Sequence, residues 1–226
     1  MLHSMRQFDD LTYVHSVNVA LIASILGQWL KFSEKDIRIL TISGLLHDIG
    51  KIMIPNEILT KPGKLTVAEY NIMKQHVNFG YEKVKNQNID IRIKEACLLH
   101  HEKCDGTGYP FGLKSDQIPA VAKIIAIADV YDAMTSARVY RGALCPFEVI
   151  DTMYKDAFTK FEPEYILPFL KNVASSYINN DVRLSDGRIG KVVLINENAL
   201  SLPIVQCEDE FIDLSKTRGL TVSAIL

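Results

Sequence analysis

No Cys-x-x-C pair occurs in this chain. Cys97, Cys104, Cys145 and Cys207 are widely spaced, which argues against both a disulfide framework and a thiolate zinc site and leaves four reduced thiols. A positive excess is also missing: 25 Lys and Arg face 27 Asp and Glu, for a formal net charge of -2. A nucleic-acid polymer as the main partner would need a basic face from which counterions are released. Nor is there an apolar run of membrane length. The longest apolar window, residues 17–30, is interrupted by Asn18, Ser24, Gly27 and Gln28 and is short for a bilayer. Met1 to Arg6 lacks the charged-then-apolar order of a secretion signal. The expectation is a cytoplasmic protein with no membrane span. What is present is an ordinary globular balance, 48% hydrophobic and 23% charged over 226 residues, enough for one domain and a small appendage.

Apolar periodicity marks a core helix over residues 11–31, with Val14, Val17, Leu21, Ile25 and Leu26 at three-to-four spacing and His15 among them. Ser33 with Asp36 opens a second helix that ends in His47-Asp48-Ile49-Gly50-Lys51. Pro55 and Pro62-Gly63 mark a loop, and Thr66 with Glu69 forms a capping box for a helix carrying His76. A helical pattern from Ile89 runs to His100-His101-Glu102 and gives way to a shaped loop, Asp105-Gly106-Thr107-Gly108-Tyr109-Pro110. Residues 121–134 are nearly continuous apolar sequence interrupted by Lys123, Asp129 and Asp132. Helices start at Pro146 and Pro163, with a kink or restart expected at Pro168. After Asn179-Asn180, short apolar runs separated by turns predict a small antiparallel β appendage, barrel-like, for packing, dimerisation or a partner contact. The expected division is a helical domain over 1–178 and a β subdomain over 179–226.

Six histidines are present, and His15, His47, His76, His100 and His101 all fall on helices or helix ends; His3 is the outsider. A single helical histidine is more often a satisfied core or surface group than a ligand. Five of them, with Asp48 and Asp129, suffice for two ions in a nitrogen-and-oxygen site. Asp129 and Asp132 lie one turn apart in apolar sequence, where an unpaired charge is costly and invites a metal or a cation; an arginine partner for Asp132 is the alternative. Two ions about 3.5–4 Å apart suit phosphate-ester hydrolysis. Lys51 would neutralise phosphate oxygens beside them, or merely complement the helix dipole. Arg138 and Arg141 would fork to a second phosphate or a guanine edge, or else lie solvated at the surface.

The ordered set His47-Asp48-Ile49-Gly50-Lys51, His76, His100-His101-Glu102-Lys103, Asp105 to Pro110, and Ile127 to Ser136 resembles the HD-GYP family of bacterial phosphodiesterases. The resemblance covers roughly residues 10–175. It implies a mainly α fold, an HD-type helical bundle, here with a small C-terminal antiparallel β appendage. It also implies hydrolysis of the second messenger cyclic di-GMP to linear pGpG and GMP, by in-line attack of a metal-bridging hydroxide. The implied cofactors are two divalent metal ions, iron or manganese. Carried over by position, one ion falls to His15, His47, Asp48 and Asp129 and the other to Asp48, His76, His100 and His101. Asp48 and Lys51 would be catalytic. Lys51, Tyr109, Arg138 and Arg141 would contact substrate, and Asp105 would orient ligands from behind. Implied partners are signalling proteins docking on the Gly-Tyr-Pro loop, an N-terminal sensory or receiver domain in a longer chain, and a second copy in a homodimer.

Three positions depart from the family pattern. Leu11 stands where some members use a glutamate for a third metal, which favours two. Cys104 replaces a common aromatic residue, and Val139 replaces a proline. The alternatives are a catalytically weak HD-GYP module that senses nucleotide or docks proteins, and a hydrolase of another cyclic dinucleotide.

Overall fold

The computed structural model describes residues 10–136 and 144–226; Arg138, Val139 and Arg141 lie outside them. The chain packs as two compact units, one of residues Met1–Ala133 with Thr159–Tyr165, the other of Met134–Phe158 with Ile166–Leu226. The helices near Pro146 and Pro163 lie mostly in the unit that also holds the strands.

In the first unit, helix α1 (Asp10–Trp29) lies against α2 (Glu34–Leu46). Ser33 caps α2 by accepting the Asp36 amide at 3.2 Å. The two helices approach so closely that a Cβ on Gly44 would sit 2.5 Å from the Ala20 Cα. That closeness brings the end of α2 to the His15 turn of α1. A 3-10 turn (Ile49–Met53) follows, then α3 (Asn56–Leu59), a short helix inside the expected loop. Thr66 and Glu69 form the expected reciprocal capping box at the start of α4 (Val67–Met73).

The helix predicted to carry His76 is two helices. α4 stops before Lys74, and His76 opens α5 (His76–Val84). The break turns the His76 ring back so that its Nδ1 donates to the Met73 carbonyl at 2.7 Å, which a continuous helix would have kept for a backbone amide. Next, α6 (Ile91–Leu99) is capped by Asp90 and ends at His100, and α7 (Ala120–Thr135) buries Ile124, Ile125 and Ile127 completely. Residues 159–165 join this unit through Lys123, whose ammonium is 2.6 Å from Glu162, and through the Cys104 amide bonded to the Lys160 carbonyl.

The second unit holds α8 (Pro146–Asp156), α9 (Pro163–Ser176) from Ile166 onward, and five strands. Pro168 does not interrupt α9. It forfeits one backbone bond, while the buried stripe of Ile166, Phe169, Leu170 and Val173 continues through it. The strands are β1 (Asp181–Leu184), β2 (Ile189–Leu194), β3 (Ile204–Cys207), β4 (Glu210–Asp213) and β5 (Val222–Ile225). They form one antiparallel sheet in the order β4-β3-β2-β1-β5. Alternation of burial along β1 and β3 shows one face turned to a core.

By length and composition α1 is apolar enough to cross a membrane. Its His15 and Asn18 are instead bonded to Asp132, with Val19, Ala23 and Leu26 fully buried, so it serves as a core helix.

Gly50 is the tightest joint in the first unit. A Cβ there would collide with the His76 carbonyl and the Gly80 amide, both backbone atoms that no side-chain rotation can move. Gly50→Ala is expected to cost about 3 kcal/mol or more, read as a lowered denaturant midpoint at constant m-value.

Candidate metal centre

Five imidazoles and two carboxylates come together where α1, the end of α2, the start of α5, the end of α6 and the middle of α7 meet. Two groups of side chains have their ligand atoms within 4.8 Å of one another: Asp48, His76, His100 and His101, and His15, His47 and Asp129. Asp48 faces both. Its Oδ1 is 3.3 Å from His76 Nε2 and 3.9 Å from His100 Nε2. Its Oδ2 is 3.3 Å from His47 Nε2 and 3.7 Å from His15 Nε2. Asp129 closes the far side, with Oδ1 3.0 Å from His15 Nε2 and Oδ2 3.9 Å from His101 Nδ1.

Local structure aims the rings. A carbonyl can only accept, so a ring nitrogen facing one must be the protonated one. His47 Nδ1 donates to the Gly44 carbonyl at 2.7 Å, His76 Nδ1 to Met73 at 2.7 Å and His100 Nδ1 to Ala96 at 2.9 Å. Each acceptor lies three or four residues earlier in the chain, near a helix terminus, and the Ala96 carbonyl also takes the His100 amide at 3.2 Å. In the neutral ring Nε2 then carries a bare lone pair turned into the cluster. The Nε2 atoms of His76 and His100 face each other at 3.4 Å, two acceptors with no proton between them. His47 Nε2 and Asp48 Oδ1 are buried without a hydrogen-bond partner. Orphaned acceptors this close together fit a cation, and the mixture of imidazole and carboxylate fits a first-row transition metal better than calcium or magnesium.

His15 is held differently. Its Nδ1 is 2.6 Å from Asp132 Oδ2, and Asp132 Oδ1 accepts the Asn18 amide at 2.9 Å. Asp132 therefore fixes the ring of a candidate ligand. Burial by itself would lower the His15 pKa, but the carboxylates of Asp129 and Asp132 against its two nitrogens, with Asp48, outweigh it and push the group up to about 9. Burial pulls His76, His100 and His101 down, which keeps them neutral ligands at neutral pH. Burial would raise Asp48, yet the charge of Lys51, then of His47, holds it well below the usual carboxylate range.

Lys51 Nζ lies 2.5 Å from Asp48 Oδ2, where the 3-10 turn returns it toward the cluster. The Tyr109 ring stacks on His101 at 4.7 Å and 26°. Its loop is clamped by Glu102, whose two oxygens accept the Phe111 and Leu113 amides at 2.7 and 2.9 Å. Glu102 and Asn18 are contributors that sequence reasoning left without a role. For Glu102 the signal was a carboxylate directly after the paired histidines. Asp105, expected to orient ligands, instead accepts the Thr107 amide and hydroxyl within its own loop, because its exposed position closes an Asx turn. The Cys104 thiol is raised by burial, which keeps it protonated and unreactive. Arg138 and Arg141 fall outside the described residues.

A family model described as "HD domain" matches residues 6–165. The chain is 37% identical over 203 residues to the cyclic di-GMP phosphodiesterase PA4108 of Pseudomonas aeruginosa, covering 89% of this chain and 49% of that protein. It is 40% identical over 148 residues to the 3'3'-cGAMP-specific phosphodiesterase 1 of Vibrio cholerae, covering 64% of this chain and 34% of that one. The chain thus spans about half, or less, of the length of these curated relatives. The structure of Bd1817, an HDG"Y"P protein from Bdellovibrio bacteriovorus, superposes with a TM-score of 0.57 at 23% identity, over 69% of this chain and 50% of that one, and shares the fold.

Two outcomes follow for metal binding. Asp132→Ala frees the His15 ring and is expected to weaken metal binding about 10–100-fold, measured by competition with a chromogenic chelator. In metal-free protein His15 keeps its extra proton below about pH 9, and an ion ligated by His15 must displace it. Apparent affinity on that side should fall roughly tenfold per pH unit as pH drops below 9, with proton release detectable by calorimetry in buffers of different ionisation enthalpy.

Proposed function

The chain belongs to the HD domain family, and from that premise we propose that it is a metal-dependent phosphodiesterase that opens cyclic di-GMP to linear pGpG and GMP. The observation that carries the reading is Asp48: one buried carboxylate whose two oxygens face two separate sets of imidazoles. His15, His47, Asp48 and Asp129 would hold one ion, and Asp48, His76, His100 and His101 the second, as iron or manganese. When bound, such a pair lowers the pKa of water and neutralises the oxygens entering and leaving phosphorus.

The chain's own residues do the rest. The carbonyl-anchored rings are set before substrate arrives, so no reorganisation is required at the moment of reaction. Lys51, already drawn to the cluster by Asp48, supplies a positive charge where the phosphoryl oxygens gather negative charge. Tyr109 presents a ring immobilised on His101. Burial keeps its hydroxyl protonated, so it donates a hydrogen bond to a phosphate or a base. The Gly-Tyr-Pro loop, held rigid by Glu102, is also the surface on which signalling partners would dock. The relatives' greater length supports a further domain in a longer cytoplasmic regulator, and homodimerisation belongs to the same reading.

Likeness to enzymes named for 3'3'-cGAMP supports a second reading for the substrate, a hybrid cyclic dinucleotide. A purely sensing module is disfavoured, since every expected metal ligand and Lys51 are present.

Protein loaded anaerobically with Fe(II) or Mn(II) should bind about two equivalents and convert cyclic di-GMP, with 3'3'-cGAMP run in parallel and products resolved by chromatography. Asp48→Ala should abolish turnover and reduce the metal content. Lys51→Ala should retain the metal and lower kcat about 10²–10³-fold. Metal bound by the wild type without turnover of either nucleotide would sink the enzyme reading.

A further inference from the structure

Outside the metal ligands, Lys74 is a cation at the edge of the site with no carboxylate paired to it among the described residues. Lys74 occupies the joint between α4 and α5, two residues before His76, and is half-buried. Its ammonium lies 5.3 Å from the centroid of the Tyr70 ring and 5.9 Å from that of Tyr109. The other lysines nearby are engaged, Lys51 with Asp48 and Lys61 with Glu69; among the described residues no carboxylate is paired with Lys74. Tyr109 in turn rests on His101, so His101, Tyr109, Lys74 and Tyr70 form a continuous line leading outward from the cluster. Tyr70, at the outer end, is 48% exposed, an aromatic face open to solvent.

We infer that Lys74 and Tyr70 form a second subsite beyond the metal cluster, in which the lysine receives the non-reacting phosphate of a cyclic dinucleotide and the Tyr70 ring carries a base. The inference rests on the proposed phosphodiesterase reading and specifies how that site takes a substrate larger than one phosphate ester. A cyclic dinucleotide has two phosphodiesters. The cluster and Lys51 serve the one that reacts, and Lys74 offers the other a positive charge displaced from it, in addition to Arg138 and Arg141, which the family pattern leads one to expect there. An ammonium set against ring faces, with no carboxylate paired to it among the described residues, keeps its charge available and its position defined, which is what a phosphate contact requires. An exposed tyrosine accepts a stacked purine at little conformational cost.

The test compares wild type, Lys74→Ala, Lys74→Arg and Tyr70→Ala on cyclic di-GMP and on bis(p-nitrophenyl) phosphate, which has one phosphate and no purine. In Lys74→Ala the ratio of kcat/KM for cyclic di-GMP to that for the small diester should fall at least tenfold, chiefly through KM, and Lys74→Arg should recover most of it. Tyr70→Ala should lower the same ratio severalfold. A ratio within twofold of wild type for Lys74→Ala, or a parallel loss on both substrates, overturns the subsite. Equilibrium binding of cyclic di-GMP separates this result from failure of the parent reading. Wild type that binds without hydrolysis, with at least tenfold weaker binding by Lys74→Ala, removes the phosphodiesterase claim and upholds the subsite. Equal binding by both, or none by wild type, overturns it.

Discussion

The arrangement depends on a single buried carboxylate. Asp48 is almost wholly removed from water, where an ionised group without compensation would be destabilising by many kcal/mol or would take up a proton. It stays ionised because Lys51 and the surrounding imidazoles supply positive charge and polar contacts. The group is therefore both the costliest element of the fold and the reason that four helices send histidines to one point. A carboxylate in this position makes sense in a protein that spends it on cations.

The second constraint is the main-chain carbonyl near the end of a helix. His47 and His100 are the capping residues of α2 and α6, and His76 opens α5 just after α4 has stopped. Each ring donates to a main-chain carbonyl three or four residues earlier, and in doing so fixes its own tautomer and direction. Helix ends are thus used twice, as local structure and as the means of presenting Nε2. Mid-helix on α1, His15 has no such carbonyl to spare and is held by Asp132 instead.

Around this rigid centre the adjustable parts are few. Glu102, beside the paired histidines, ties the Gly-Tyr-Pro loop to the candidate ligands. Lys74 and Tyr70 lie one layer further out, on the short helix whose interruption also orients His76. In the proposed reading, metal and substrate would both engage the same stretch of chain, residues 66–76, opened by the Thr66–Glu69 capping box.

Much of this was legible in sequence. The apolar periodicity located α1, α2 and α7, the capping signals at Ser33 and Thr66 started helices where they start, and the turn-punctuated apolar runs after Asn180 became a five-stranded antiparallel sheet. The candidate ligands followed from residue type and order, because donors of nitrogen and oxygen are few and most of the histidines sit at recognisable helix ends, His15 and Asp129 being mid-helix. Tertiary structure decided the rest. Asp105 and Asp132 look alike as carboxylates in motifs, and only the fold puts one into its own loop turn and the other behind His15, since orientation depends on which helix packs opposite. The break at Lys74, the passage of α9 through Pro168 and the role of Glu102 likewise depend on long-range contacts that outweigh local preference. Sequence determined which atoms are able to bind a metal; the close approach of helices at Gly44 and Gly50 determined that they converge.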